Sequence, residues 1–231
     1  MTYMPGPADY AIVALLLGAM TYELIFPKLK RRMIAYVGNI TILWLLSGGV
    51  IALWLNTNRS WALLFLGPVV WWRLAIGVAL FAAFLYLGLR DMRAARKNPK
   101  ALERFLPKLE PMKWMMPVTR AHLRWWVAVS ITAGVSEELL VRGFLVALLT
   151  HFTGLAAAVI IAAVLFGIGH AYQELKNAVP TGLYGLALNI VVLISGSLLP
   201  AMAIHIMQDF FSGQLAYWAL SRAGGGLERQ E

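Results

Sequence analysis

The chain has 231 residues, of which 60% are hydrophobic and only 13% are charged. A soluble domain is about 45–50% apolar and about 25% charged, so this composition excludes an ordinary soluble protein and predicts one integral membrane domain over residues 1–231. The lack of cysteine excludes disulfides and thiolate chemistry, and the formal net charge of +9 lies in clusters between apolar runs, which excludes nucleic acid as a partner.

A membrane-spanning helix needs about 20 mostly apolar residues, and about seven stretches of the chain meet this requirement. The first stretch lacks the basic n-region of a signal peptide, so we expect it to be retained as a span. The short apolar run at 61–69 predicts an interfacial piece or an extension of the third span. Together these features predict an all-α polytopic membrane bundle. The stretches are 8–26, 35–55, 70–89, 125–149, 154–173, 181–197 and 200–220.

Lysine and arginine residues between these stretches favour one orientation of the bundle. With seven spans, the first loop, the long central segment 91–124 and the C-terminal tail lie on one side, and all three are basic. The positive-inside rule then places the N-terminus outside and the C-terminus inside. We expect 91–124 to be a basic interfacial loop that binds anionic lipid headgroups, with a surface for substrate tails as the alternative. The basic residues are Lys28, Lys30, Arg31, Arg32, Arg93, Arg96, Lys97, Lys100, Arg104, Lys108, Lys113, Arg120, Arg124, Arg222 and Arg229.

The fourth predicted span carries two adjacent acids and an arginine, which are costly groups inside a membrane. Glu138 and Arg142 are four residues apart, so they share a helix face and can form a buried ion pair. Glu137 points about 100° away, because an α-helix has 3.6 residues per turn, and it is left without a local countercharge. A carboxylate in that position can accept a proton from water. The alternative is a network in which Arg142 holds both acids.

The fifth and seventh predicted spans carry histidines in pairs with the same four-residue spacing. Phe166 and His170 share a face of the fifth span, where a single histidine is also compatible with simple packing. His205 and Asp209 share a face of the seventh span, where the carboxylate can orient the imidazole, although a local hydrogen bond alone would also explain the pair. Because each ionisable group is costly in lipid, we expect these residues and Glu137 to share one hydrated cavity. A carboxylate with imidazoles can activate water and stabilise an oxyanion, which predicts hydrolysis of an amide bond.

The three motifs together resemble a known family. "EELLVR" at 137–142 matches E-E-x-x-x-R, "FGIGH" at 166–170 matches F-x-x-x-H, and "HIMQD" at 205–209 matches H-x-x-x-[N/D]. Their order and spacing, over about residues 120–215, resemble the CPBP family of CAAX proteases and bacteriocin-processing membrane proteins, which includes Rce1-like prenyl endopeptidases. The resemblance implies an Rce1-like helical bundle and a glutamate-dependent intramembrane endopeptidase, for which we expect no metal or other cofactor.

The resemblance also implies roles for the site residues. The first glutamate would be the base that activates water, helped by the histidine of the second motif, and the last motif would stabilise the oxyanion. Prenyl proteases of the family have Asn at the end of that motif, whereas this chain has Asp209. An ionised Asp cannot donate a hydrogen bond, so Asp209 would donate only when protonated, or would instead orient His205. The implied catalytic residues are Glu137, His170, His205 and Asp209, and the supporting residues are Glu138, Arg142 and Phe166.

The expected substrate is a membrane-anchored protein or peptide that is cut beside membrane lipid, near its C-terminus, at a leader or at a sorting signal. The compact, basic chain resembles prokaryotic members, which implies a prokaryotic cytoplasmic membrane. A zinc protease is an alternative because two histidines and a carboxylate are a plausible ligand set, but H-E-x-x-H is absent. The non-enzymatic alternatives are a membrane binding or immunity protein, and a transporter that uses the buried glutamate and histidine set.

The predicted depths of the two motif histidines conflict with a shared cavity. With these bounds, His170 lies near the inner end of the fifth span and His205 near the outer end of the seventh. About ten residues of depth, at 1.5 Å per residue, would separate them by roughly 15 Å. A shared site therefore requires tilted, extended or re-entrant helices around 176–200.

Overall fold

A computed structural model of the chain describes residues 3–25, 31–172 and 174–223. Over these residues the protein consists of helices and turns without strands, which confirms the predicted helical bundle. Lys28, Lys30 and Arg229 lie outside the described residues. The helices are α1 (Pro7–Ile25), α2 (Arg32–Thr57), α3 (Trp71–Lys97), α4 (Pro99–Leu109), α5 (Arg120–Glu137), a π-helix (Glu138–Leu145), α6 (Val146–Thr153), α7 (Leu155–Gly169), α8 (Ala178–Ser195) and α9 (Leu199–Ala223).

A helix occupies each predicted span. The fourth span is a continuous rod that consists of α5, the π-helix and α6, while the other spans correspond to α1, α2, α3, α7, α8 and α9. The helices in the described part of the chain that are long and apolar enough to cross a membrane are Arg32–Thr57, Trp71–Lys97 and Leu175–Ser195, and Pro7–Ala19 and Leu155–Gly169 are shorter apolar helices.

The segment 91–124 is largely helical, so the prediction of a loop is wrong for most of its length. α3 continues to Lys97, and α4 follows directly from Pro99. Leu102 and Leu109 of α4 lie seven residues apart on one face and are buried in a cluster with residues of α5 and the end of α9. Apolar residues at helical spacing therefore pack this segment onto the bundle. The many charged residues between them obscure this apolar period in the sequence. A position at the lipid headgroups stays a prediction.

The run at 61–69 is not an extension of the third span. A 3₁₀ turn at Trp61–Leu64 ends at Phe65, whose φ of 54° lies in the left-handed region and reverses the chain. Leu64 is fully buried, and the Phe65 carbonyl accepts a hydrogen bond from the Leu198 N–H at 3.1 Å. The run therefore folds back against the connection between α8 and α9.

Arg73, near the start of α3, fixes the end of α8. Its guanidinium donates hydrogen bonds to the carbonyl oxygens of Leu193 and Ile194. Carbonyls in the last turn of a helix lack partners within the helix, so a cation there satisfies them and complements the helix dipole. This contact therefore holds the last turn of α8 against the start of α3.

The two ends of the bundle differ in charge. Arg32 Nε donates to the Met116 carbonyl at 2.8 Å, so the start of α2 and the residues before α5 lie at the same end. An Arg222 nitrogen lies 3.4 Å from the Arg96 carbonyl oxygen, so the ends of α9 and α3 lie together. Tyr36 of α2 and Leu220 of α9 belong to one buried cluster, which places these ends beside the start of α2. The basic segments thus meet at one end of the bundle, as alternating spans require. The side of the membrane that this end faces stays a prediction.

Two close helix approaches hold the site helices together. A Cβ added to Gly134 of α5 would lie 2.7 Å from the Ile206 nitrogen of α9. A Cβ added to Gly167 of α7 would lie 3.0 Å from the Gly182 Cα of α8. Glycine at these two positions lets backbones approach more closely than any other residue allows. The motif residues lie within a few positions of these contacts, so the same approaches determine how far apart the motifs are.

Candidate active site

Glu137 and Glu138 lie where the helical winding changes. α5 ends at Glu137, and the π-helix begins at Glu138. Such π segments are rare and occur frequently at functional sites. The Glu138 side chain is fully buried, whereas that of Glu137 is 18% exposed. The two acids therefore have different surroundings. Because the winding changes at this point, the angle between their side chains does not follow from the regular 3.6-residue period alone.

Glu138 contacts two residues from different parts of the chain. Its Oε1 lies 2.8 Å from His205 Nδ1 and 3.1 Å from Arg142 Nη1, and all three side chains are buried. The ion pair with Arg142 is the one that the spacing predicted. In the part of the chain that the structure describes, Arg142 is paired with Glu138 and not with Glu137. The contact with His205 was not predicted, and it links the first motif directly to the last.

Phe166 packs against the residues of all three motifs. Its ring centroid lies 4.0 Å from the Arg142 guanidinium carbon, 4.4 Å from the His170 ring and 6.1 Å from the His205 ring. No side-chain nitrogen of Arg142 has a hydrogen-bond partner within the described residues. The aromatic face and the Glu138 carboxylate are therefore what compensates this buried cation.

His170 has a defined tautomer when it is neutral. It lies directly after α7, and its Nδ1 is 2.8 Å from the Phe166 carbonyl oxygen. A carbonyl can only accept a hydrogen bond, so Nδ1 carries the proton. The neutral imidazole then has its lone pair on Nε2, which faces Glu137 Oε2 at 3.9 Å.

One carboxylate oxygen faces both histidines. Glu137 Oε2 lies 3.9 Å from His170 Nε2 and 4.0 Å from His205 Nε2, and this buried atom has no hydrogen-bond partner within the described residues. These distances are too long for direct hydrogen bonds and fit groups that share a bridging water at about 2.8 Å from each. The three groups thus surround a place where a small polar molecule can bind.

Asp209 lies on the more exposed side of this group. Its Oδ2 is 3.8 Å from His205 Nε2, and its side chain is 29% exposed. The backbone carbonyl of Asp209 accepts a hydrogen bond from Trp126 Nε1 at 2.8 Å, and the Trp126 ring lies against Gly213. Trp126 therefore fixes α9 beside the site from α5, a role that sequence reasoning missed.

The separation of about 15 Å that follows from the predicted span bounds is wrong, and the two histidines lie as close together as a shared cavity requires. His170 and His205 lie within 4.0 Å of the same oxygen atom. The estimate treated the spans as parallel rods and compared positions along them. In the structure α7 ends early, at Gly169, and a 3₁₀ turn at Leu175–Asn177 leads into α8. The side chains of His170 and His205 therefore meet in the space between helices. The sequence does not specify the relative depth of these helices.

Tyr184 of α8 is a further residue at the site that sequence reasoning missed. Its ring centroid lies 6.1 Å from that of His205, with the rings at 86°. In the sequence, only the neighbouring Gly185 hints that Tyr184 lies at a close helix contact. In the structure, a Cβ added to Gly185 would lie 3.0 Å from the Phe166 ring. Among the described residues, no group of three or more histidine, aspartate or glutamate side chains is arranged to hold a metal ion.

Comparison with known proteins gives one result. Residues 119–211 match the family model described as Type II CAAX prenyl endopeptidase Rce1-like. No curated protein and no solved structure matches the chain. The matched region starts with α5 and ends within α9, so it contains all three motifs and Tyr184. The match assigns residues 119–211 to the Rce1-like group of CAAX proteases.

Proposed function

We propose that this protein is an intramembrane endopeptidase in which Glu137 activates a water molecule. The observation that carries the proposal is the position of Glu137 Oε2, 3.9 Å from His170 Nε2 and 4.0 Å from His205 Nε2. The family assignment supports proteolysis of the CAAX type in a membrane. The geometry supports the finer assignment, because it provides one base and two imidazoles around a single water position.

In the first step, the water lies between Glu137 and His170. The lone pair on His170 Nε2 accepts one water hydrogen and orients the molecule, while the Glu137 carboxylate takes the other proton. The water oxygen forms a bond to the carbon of the scissile carbonyl. The electron pair of the C=O bond moves to the carbonyl oxygen, which becomes an oxyanion.

His205 is placed to stabilise this oxyanion. Its Nδ1 donates to Glu138, so the imidazolium form presents an N–H at Nε2 to the substrate. Glu138 is held in turn by Arg142 at 3.1 Å, which makes both of them positioning residues. In the second step, the oxyanion collapses, the C–N bond breaks, and the proton on Glu137 passes to the leaving amine.

The proposed substrate is a membrane-associated protein or peptide, cut near its C-terminus, at a leader or at a sorting signal. The exposed fraction of the Glu137 and Asp209 side chains, 18% and 29%, supports access to the site from one side. We further propose that the basic end of the bundle faces the cytoplasm of a prokaryotic cell, as the positive-inside rule requires.

The test compares membrane-protein termini by mass spectrometry in cells that express the wild-type chain or Glu137→Gln. We expect a set of new termini with the wild-type chain that is absent with the variant. The amide retains the size of the side chain but cannot accept the water proton, so the variant should accumulate in the membrane at the wild-type level.

Two outcomes would overturn the proposal. If Glu137→Gln produces the same termini as the wild-type chain, Glu137 is not the base. If the wild-type chain produces no new terminus, the chain is not a peptidase, and the non-enzymatic alternatives gain support. Cleavage by purified protein in the presence of strong chelators separates this mechanism from a zinc protease, which would lose activity.

A further inference from the structure

The hydroxyl of Tyr184 is a buried polar group that the proposed mechanism does not use. It belongs to α8, which carries none of the three motifs. The oxygen is shielded from solvent and has no hydrogen-bond partner within the described residues. Its ring, by contrast, is anchored, since it packs against two apolar clusters, one centred on α2 and the other on α7. The ring is thus ordinarily packed, and only the hydroxyl, which is buried without a partner among the described residues, is unusual.

Tyr184 lies beside the charged groups of the site. The Tyr184 ring meets the His205 ring edge-on, with centroids 6.1 Å apart. The next residue, Gly185, has its added Cβ position 3.1 Å from Arg142 Nη2. α8 therefore passes directly against the motif residues at this point.

Buried hydroxyls are normally hydrogen-bonded, and those that lack a partner require an explanation. A site that binds a polar substrate supplies one, because the substrate can bring the missing acceptor. An ionised carboxylate cannot donate, so Asp209 in that state does not contribute a donor, and His205 has only Nε2 free because Nδ1 is used by Glu138. The group of residues around His205 thus has few donors for a developing negative charge.

We propose that the Tyr184 O–H donates a hydrogen bond to the oxyanion of the tetrahedral intermediate, next to His205 Nε2. The inference rests on the proposed peptidase function and adds α8 to the elements that form the site. The phenol keeps its proton throughout and acts as a donor only. Because the bond strengthens as the carbonyl oxygen gains charge, it lowers the barrier more than it strengthens substrate binding.

The test is the kinetics of Tyr184→Phe in the full-length protein, reconstituted in liposomes. The probe is a quenched fluorescent peptide that spans a cleavage site lost in Glu137→Gln cells. We expect kcat to fall about 10²-fold with little change in KM, as for the loss of one oxyanion donor. The matched control is Tyr86→Phe, which removes a hydroxyl from an exposed tyrosine on α3 and should leave kcat unchanged.

Two further measurements separate this role from packing. The thermal midpoint of Tyr184→Phe should equal or exceed that of the wild-type protein, since only an unpaired hydroxyl is removed. The probe should bind Glu137→Gln and Glu137→Gln/Tyr184→Phe with equal affinity. An unchanged kcat, a rise in KM alone, or a loss of activity that follows the thermal midpoint would overturn the inference.

The two proposals fail in different ways. If Tyr184→Phe cleaves the probe at the wild-type rate while Glu137→Gln does not cleave it, the role of Tyr184 is wrong and the peptidase proposal stands. If the wild-type protein cleaves no membrane-protein terminus, both proposals fail.

Discussion

Glu138 Oε1 accepts a hydrogen bond from His205 Nδ1 at 2.8 Å, and the two residues are separated by 67 positions in the sequence. This contact connects the first and last motifs through a fully buried carboxylate. The same oxygen lies 3.1 Å from Arg142 Nη1, so one acid holds both the arginine and the imidazole. The orientation of the His205 ring therefore depends on a fully buried residue of the first motif.

The buried Glu138–Arg142 pair should show strong energetic coupling. Glu138→Gln leaves the guanidinium buried without its countercharge, and Arg142→Met leaves the carboxylate with His205 alone, so each should destabilise the protein by about 3–5 kcal/mol. The double variant Glu138→Gln/Arg142→Met should lose much less than the sum. The measurement is unfolding of the purified protein in detergent micelles, and additive losses would contradict the coupling.

His170 should affect catalysis far more than stability. It is partly exposed, and its Nδ1 donates only to the Phe166 carbonyl, so His170→Ala should change the thermal midpoint little. Loss of the Nε2 acceptor that orients water should lower kcat by about 10²–10⁴-fold. His151→Ala is the matched control, because His151 is exposed at the C-terminal end of α6. Equal rates for the two variants would rule out a catalytic His170.

Asp209 can be tested with two substitutions that differ in polarity. Asp209→Asn keeps an oxygen near His205 Nε2 and adds an N–H that can donate to an oxyanion, so activity should stay within about tenfold of the wild-type value. Asp209→Leu removes both functions and should lower kcat by about 10²-fold or more. Equal activity of the Leu and Asn variants would mean that Asp209 contributes nothing polar to the reaction.

Gly134 should be essential for the approach of α5 to α9. A methyl group there would lie 2.7 Å from the Ile206 nitrogen, so Gly134→Ala must push the helices apart and move His205 relative to Glu137. We expect a stability loss of about 1–3 kcal/mol and a fall in kcat of about 10²-fold.

The control for this substitution is Gly48→Ala in α2, where an added Cβ meets nothing within 4 Å. That change should be neutral or stabilising by about 1 kcal/mol, because alanine favours a helix more than glycine does. Thermal denaturation and probe cleavage measure both variants. The close-approach argument would be wrong if Gly134→Ala behaved like Gly48→Ala.

Tyr3 should make stability depend on alkaline pH. Burial, together with a hydrogen bond to Asp9 at 2.6 Å, raises the pKa of Tyr3 above its ordinary value of 10.0. The unfolded chain then loses this proton first, so the stabilisation is complete below about pH 10 and decreases as the pH rises further. Tyr3→Phe should lower the thermal midpoint at pH 8, and the difference from the wild-type protein should shrink by pH 11. A difference that is constant over this range would contradict the assignment.

The sequence alone determined the local features of the protein. Apolar runs of sufficient length fix where the helices lie, because a backbone in lipid must satisfy its hydrogen bonds within a helix. The four-residue spacing of Glu138 and Arg142 correctly predicted their ion pair, since residues at i and i+4 are neighbours on an α-helix and stay close enough to pair in the π-helix that forms here. The high charge of 91–124 led to the wrong prediction of a loop. The segment is largely helical because the apolar face of α4 packs on the bundle.

Only the tertiary structure decided how the motifs meet. The sequence could not place His170 and His205 around one oxygen of Glu137, or Glu138 against His205, because contacts between helices depend on crossing angle and relative depth. Tyr184 shows the same limit, since nothing about a single tyrosine on α8 reveals that its hydroxyl is buried beside the site. Helical periods describe one helix at a time, and the site is formed between helices through the close approaches at Gly134 and Gly167.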